Sequence, residues 1–214
     1  MDRIVILGNG EFPRSEYPLY ILGAAEVIVC CDGAAEKLLA HDPSLAGKAV
    51  VIGDLDSIGD SSRSAFEGRI VHVAEQDDND QTKAMCYIME HYPDAASITI
   101  LGATGLREDH TIGNISLLME YTRMFPSCKA EIQMVSDYST IFAVTDTIEL
   151  HIGEGRRVSI LSPDNSLKIK SEGLVWPTDD VIFDNWWKAT LNRSSSDVVK
   201  LSFSHPSLAV LILD

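Results

Sequence analysis

Positive charge is scarce in this chain: 17 Lys and Arg stand against 32 Asp and Glu, a formal net charge of −15. Such a surface repels the phosphates of DNA and RNA and argues against a nucleic-acid partner. Long apolar runs are missing as well. None approaches the roughly 20 residues that a membrane-spanning helix needs, although 45% of the 214 residues are hydrophobic, enough for one large core or two small ones. The opening Met1–Gly8 is too short in its apolar part for a signal peptide and has no small-residue cleavage site, so it reads as a first strand and the expected setting is the cytoplasm. Cysteine is sparse. Cys30, Cys31, Cys86 and Cys128 form no CxxC pair, which argues for buried free thiols over a zinc site or a disulfide framework. Two phosphate-binding signatures are absent: there is no GxxxxGK[ST], and Gly8-Asn9-Gly10 lacks the third glycine of the dinucleotide fingerprint, with Pro13 there instead. A simple phosphate-approach loop at Gly8–Gly10 stays open. No Ser/His/Asp or Cys/His nucleophile constellation stands out.

What the first two-thirds does have is alternation. Short apolar, mostly β-branched runs occur at Ile4–Leu7, Val27–Cys31, Ala49–Ile52, Ile70–Val73, Ile98–Leu101 and Ile132–Val135, as buried strands require. Helical stretches lie between them, near Ser15–Ala25, Gly33–Ala40, Ser61–Phe66, Asp80–His91 and Asp109–Met124. Ala84, Ile88 and His91 fall on one stripe, and Ile112, Ile115, Leu118 and Met119 on another. A βαβα series of this kind predicts an α/β fold with a doubly wound, mostly parallel sheet and right-handed crossovers. After a boundary near Asp137–Ser139 the helical periodicity ends. Short strand-like runs take over at Ile141–Val144, Thr147–Ile152, Arg157–Leu161 and Leu167–Lys170, and the alternation at Val199–Phe203, the turn at Ser204–Ser207 and the run Leu208–Leu213 together read as a hairpin. The expected organisation is residues 1–137 as an α/β domain and 138–214 as a smaller antiparallel β domain.

Acidic and glycine-rich clusters follow strand after strand: Asp32-Gly33 after the second, Gly53-Asp54-Leu55-Asp56 after the third, Gln76 to Lys83 after the fourth, and Gly102 to His110 after the fifth. In a parallel sheet these loops share the carboxyl edge, where open α/β folds bind ligands. Carboxylates that converge there repel one another unless cations balance them, and hard oxygen ligands suit Mg2+. Asp54 and Asp56, two apart on an extended segment, face the same way. Asp77 and Asp80 lie three apart at a helix start, with Asp80 read as that helix's N-cap. Each cluster taken alone could be a solvated turn. Gly102–Gly105 lets backbone N–H groups approach a phosphate, Thr104 offers a hydroxyl, and Arg107 offers a bidentate donor unless it pairs with Asp109 or Glu108. Lys83 reaches phosphates or solvent from the first turn of its helix, and His110 is a phosphate donor or a helix-start hydrogen-bond partner. Among the tryptophans, Trp186 and Trp187 read as core. Trp176, between a strand-like run and a loop, suits stacking on a flat cationic heterocycle.

These motifs, in this order, resemble the thiamine pyrophosphokinase family. Asp32-Gly33-Ala34 is similar to its early D-G-[GA], Gly53-Asp54-Leu55-Asp56-Ser57 to its GD[FL]DS, and Asp77 to Ala84 to its D-x-x-D-x-x-K-A. Gly102 to His110 with Asn114 is similar to its G-x-x-G-x-R-x-D-H-x-x-x-N, and Gly173-Leu174-Val175-Trp176-Pro177 to its G-[LF]-x-W-P. Leu106 stands where the family frequently has glycine, and Leu191-Asn192 where it often has Ser-Asn. The resemblance implies an α/β catalytic domain, a β-sandwich thiamine-binding domain, a homodimer, and transfer of the β,γ-pyrophosphoryl group of ATP to the hydroxyl of thiamine, leaving AMP. It places Asp54, Asp56 and Asp80 on Mg2+, and Asp77, Arg107 and Asp109 beside them. Asp32, Gly33, Gln76, Lys83, Thr104, His110 and Asn114 fall on the ATP side, Trp176 and Asn192 on thiamine. Two other readings remain: a pyrophosphokinase for another alcohol such as a pterin, and a non-catalytic thiamine or nucleotide sensor.

Overall fold

The computed structural model describes residues 2–55, 58–75 and 77–214. The chain divides into two compact units, one of residues 1–117 and 127–137, the other of residues 118–126 and 138–214.

The described residues of the first unit form strands β1 (Arg3–Leu7), β2 (Val27–Cys31), β3 (Ala49–Gly53), β4 (Ile70–His72), β5 (Ser97–Leu101) and β6 (Glu131–Val135). All pair in parallel in the order β6-β5-β1-β2-β3-β4. The helices are α1 (Glu16–Ala24), α2 (Ala34–His41), α3 (Asp60–Ala65), α4 (Asp80–His91) and α5 (Glu108–Met124). The strands are apolar nearly throughout because both sheet faces are covered. Val5, Leu7, Ile28, Cys30 and Val51 pack on one face with Leu22, Leu38 and Phe66. The alternate residues Ile4, Ile6, Val29 and Ile52 are equally buried, on the face where α4 packs against β1, β2 and β3. This is the doubly wound sheet expected. Strand order reverses between β1 and β5, so the switch point of the sheet lies at their carboxyl ends.

Two helix details differ from expectation. Asn79, not Asp80, caps α4: its backbone is extended and its Oδ1 accepts from the Thr82 N–H at 2.9 Å, which leaves Asp80 as the first helical residue. The buried face of α4 is Gln81, Thr82, Ala84, Met85 and Ile88, with His91 exposed. In α5, Ile112 is 53% exposed, because the first turns of that helix give Asp109, His110, Gly113 and Asn114 to a cleft wall.

In the second unit, strands β7 (Thr140–Val144), β8 (Ile148–His151), β9 (Arg157–Leu161), β10 (Ile169–Glu172), β11 (Asn192–Arg193), β12 (Val198–Phe203) and β13 (Ala209–Leu213) make two antiparallel layers. Their orders are β11-β9-β13-β7 and β10-β12-β8. Val144, Val158, Ile160 and Leu211 of one layer share a core with Leu150, Ile169, Val199 and Leu201 of the other. The expected hairpin does not form. β12 pairs with β10 and β8, while β13 pairs with β7 and β9, so the Ser204–Ser207 turn carries the chain from one layer to the other. The apolar alternation reports a buried face but not which neighbour completes it. Trp186 and Trp187 are not core either: they are 41% and 68% exposed, and Phe183 and Ala189 fill the interior nearby.

Asp164 pins the layer-crossing turn. Its carboxylate accepts from the Ser166 N–H (2.8 Å), Ser166 Oγ (2.6 Å) and Ser207 Oγ (2.7 Å), and meets His205 Nε2 at 3.0 Å. The Ser166 hydroxyl first, then the Ser207 hydroxyl and the His205 ring, hold its pKa well below the usual carboxylate range. Because the folded value is depressed, the stabilisation is present above the unfolded value near 3.8 and is lost as pH falls toward the folded one. Urea unfolding of Asp164→Asn should therefore show a weaker loss of stability below about pH 5 than the wild-type chain. Parallel curves for the two would contradict this.

Candidate functional site

The loops after β1 and β5 are laced together at the switch point. The Gly8 N–H donates to Leu101 O (2.8 Å), Gly10 N–H to Gly102 O (2.6 Å) and Glu11 N–H to Thr104 O (2.9 Å). A cleft of about 590 Å³ opens above them. Its floor carries Asp32 from the end of β2, Asp54 from the end of β3 and Asp80 from the start of α4. The facing wall carries Arg107, Asp109, His110 and Asn114.

Gly53 makes the acidic floor possible. It has φ of +150°, and a Cβ there would lie 3.2 Å from Asp32 Cβ and 3.5 Å from Asp80 Oδ1. That backbone conformation favours glycine, and a Cβ there would press on Asp32 by a few tenths of an ångström. Burial pushes the Asp80 carboxyl above its ordinary pKa, Lys83 draws it down, and Asp32 and Asp54 raise it again. That pattern marks like charges gathered in one place. Lys83 is almost fully buried, its Nζ 3.6 Å from Asp80 Oδ1 and 3.5 Å from Val73 O, so it stands behind Asp80 and does not line the cleft. Cys31 does line it, but burial first, then Asp80, pushes its thiol well above the usual range, and a neutral thiol is no nucleophile.

On the wall, Arg107 grips Asp109 with Nε to Oδ1 at 3.1 Å and Nη2 to Oδ2 at 2.6 Å, both side chains exposed. Arg107 and the His110 N–H (2.9 Å) lower the Asp109 pKa. Asn114 Nδ2 donates to Ala103 O at 2.8 Å, while Gln81 Nε2 and Asn79 Nδ2 reach Asn114 O and Oδ1 at 3.4 and 3.5 Å. These amides tie the starts of α4 and α5 to the β5 loop.

The cleft thus brings together Asp32, Asp54, Asp80, Arg107, Asp109, His110 and Asn114 of the residues singled out from sequence. Asp77 is exposed outside it, its N–H donating to the Glu75 carboxylate. Thr104 lends its carbonyl to the lacing, and Gly33 lies under Asn9, where a Cβ would come 2.7 Å from Nδ2. Asp56 and Gln76 lie outside the described residues. The Gly8–Gly10 loop left open as a phosphate approach does line the cleft, with Asn9, while sequence reasoning gave no role to Asn79 and Gln81, also on the cleft. Asn79 and Gln81 flank Asp80 in the acidic run, and an Asn that precedes a helix is itself a cap signal.

In the second unit a smaller cavity of about 260 Å³ is lined by Trp176, Thr178, Val181, Lys188, Leu191 and Asn192 among others. Trp176 is 55% exposed and Asn192 is buried. Asn192 clamps the tryptophan backbone, accepting from Trp176 N–H at 3.2 Å and donating to Trp176 O at 2.6 Å. Backbone strain gathers at these two cavities. Among the described residues the non-glycine positions with positive φ are Asp32, Leu55, Leu106 and Leu191. Asp32 and Leu106 line the larger cavity and Leu191 the smaller. Conformations of this kind cost of order 1–3 kcal/mol and persist where surrounding contacts enforce them.

Comparison with known protein families matches residues 19–132 to "Thiamin pyrophosphokinase, catalytic domain" and residues 140–208 to "Thiamin pyrophosphokinase, substrate-binding domain". The chain belongs to the thiamin pyrophosphokinase family. It is 27% identical over 202 residues to Thiamine pyrophosphokinase 1 of Oryza sativa subsp. japonica, an alignment covering 82% of this chain and 74% of that protein. It is 30% identical over 166 residues to Thiamine pyrophosphokinase 3 of the same plant, covering 67% and 59%. The crystal structure of thiamine pyrophosphokinase from Bacillus subtilis shares the fold, with a TM-score of 0.77 at 20% identity, over 99% of this chain and 98% of that one. The cleft's acidic residues Asp32, Asp54, Asp80 and Asp109 lie within the stretch matched to the family's catalytic domain, and the Trp176–Asn192 cavity within the stretch matched to its substrate-binding domain.

Proposed function

We propose that this chain transfers the β,γ-pyrophosphoryl group of ATP to the hydroxyl of thiamine, giving thiamine diphosphate and AMP. The observation that carries the reading is the convergence of Asp32, Asp54 and Asp80 around Gly53, opposite Arg107, at the switch point of a parallel sheet. In this reading residues 1–137 bind Mg-ATP and residues 138–214 bind thiamine. Trp176 offers an exposed ring to the flat cationic heterocycle, and Asn192 holds it in place.

The acidic floor fits Mg2+. Among the described residues no three His, Cys, Asp or Glu side chains already form a metal-holding cage. Mg2+ takes one or two carboxylates and completes its shell with water and substrate phosphates, and Asp54 and Asp80 are oxygen donors of that type on the cleft. Asp54 and Asp80 would hold it, with Asp56 proposed from its spacing to Asp54. Bound there, the ion neutralises phosphate charge and orients the phosphates for displacement. Arg107, an exposed bidentate donor, stabilises the transferred group. Asp109 and Asp77 are the proposed acceptors of the thiamine hydroxyl proton. Of the two, Asp109 lines the cleft, and it gains basicity when Arg107 turns from it to phosphate. Gly33, Gln76, Lys83, Thr104, His110 and Asn114 support the nucleotide in this reading, Lys83 by way of Asp80.

The proposed assembly is a homodimer, in keeping with the exposed apolar side chains of Trp186, Trp187 and Leu191. The free cysteines suit a reducing compartment, and the cytoplasm is the proposed setting; among the described residues no helix is long and apolar enough to cross a membrane. The test is AMP formation from Mg-ATP offered with thiamine or with a pterin alcohol. Thiamine-dependent AMP that vanishes with EDTA is expected. AMP with the pterin alone, or ligand-induced stabilisation without turnover, would overturn the proposal.

A further inference from the structure

Helix α2 carries a lysine that the chemistry above does not use. Lys37 Nζ donates to the main-chain carbonyls of Asn9 and Gly10, both at 2.7 Å. Its neighbour Glu36 reaches the other way, accepting from the Gly59 N–H at 2.9 Å and meeting Ser62 Oγ at 3.4 Å. One turn of helix therefore ties the loop after β1 and the segment entering α3. Asn9 and Gly10 line the cleft, so the Lys37 ammonium stands one peptide group behind its wall. The contact has a cost, since burial lowers the Lys37 pKa. An ammonium kept there against desolvation offers something an apolar side chain would not. It fixes two carbonyl dipoles away from the cleft and adds positive potential beside a floor of aspartates.

We propose that Lys37 is a positioning residue for the triphosphate of ATP, acting through the Gly8–Gly10 loop. The inference rests on the Mg-ATP reading of the cleft. Without Lys37, the Asn9 and Gly10 carbonyls can turn toward incoming phosphate, and like partial charges then meet. Lys37→Met should raise KM for ATP about tenfold, as loss of hydrogen bonds from a charged group does. It should leave kcat within about twofold and KM for thiamine unaltered, and Lys37→Arg, which keeps the charge but not the compact ammonium, should recover part of the ATP affinity. Hydrogen exchange should quicken in Lys37→Met at the Gly10 and Glu11 amides, which donate to Gly102 and Thr104.

Wild-type KM for ATP with unchanged exchange would overturn the assignment. So would a parallel rise of KM for both substrates, the mark of general loosening. If Lys37→Met does not fold, Lys37→Gln is read by the same criteria. If the wild-type chain forms no AMP with thiamine, the functional reading falls, yet calorimetric Mg-ATP binding by wild type and Lys37→Met still decides the role of Lys37: a roughly tenfold weaker Kd supports it, and equal affinities overturn it.

Discussion

Asp54→Ala should lower kcat for AMP formation by at least about 100-fold, roughly 3 kcal/mol of transition-state stabilisation, while the melting temperature without Mg2+ stays level or rises. The two halves of this result follow from one arrangement. Asp32, Asp54 and Asp80 are gathered where Asp32 and Asp54 both raise the Asp80 pKa, so removing one carboxylate relieves repulsion in the free protein. The same removal takes a proposed ligand from the ion that balances the phosphates. Asp54→Asn should behave alike, since it keeps the shape and loses the charge. Activity within a few-fold of wild type would break the assignment of Asp54. A melting point lowered by more than about 5 °C would instead make Asp54 a structural residue, given 2–4 °C per kcal/mol for a chain of this size.

The parallel half of this fold was legible because its signal is local. A strand covered on both faces must be apolar throughout, and VIVCC and AVVIG read as nothing else. The acidic clusters were legible for a topological reason: once strands are parallel, their following loops share an edge whatever their separation in sequence. What sequence could not supply was the partner of each exposed or alternating segment. Val199 and Leu201 alternate as they would in a hairpin, yet β12 and β13 belong to different layers. The turn between them is held by Asp164 through Ser166, His205 and Ser207, a side-chain network with no periodicity. Trp186 and Trp187 look like core by type and are exposed in place. Lys37 carries no signal in the sequence, because the two carbonyls it bonds are far away along the chain.

Gly10→Ala should be the most damaging conservative change in the first unit's loops. A Cβ at Gly10 would lie 2.5 Å from Gly102 O and 2.7 Å from Thr104 O, both main-chain atoms that no rotamer change can move aside. The β1 and β5 loops must separate, and the hydrogen bonds of Gly10 N–H to Gly102 O and Glu11 N–H to Thr104 O stretch with them. Overpacking costs about 1–3 kcal/mol and each of the two lost hydrogen bonds about 1 kcal/mol, about 3–5 kcal/mol together, so the melting temperature should fall by about 6–20 °C. Mg-ATP binding should weaken at least about 30-fold, because that lacing positions Gly8, Gly10 and Gly102, which line the cleft. Gly23→Ala is the matched control. It lies in α1 with nothing within 4 Å of a new Cβ, and helix propensity alone should make it neutral or stabilising by up to about 1 kcal/mol. Equal melting points for Gly10→Ala and wild type would mean that the two loops are not held in contact, and the switch-point cleft would lose the feature that shapes it.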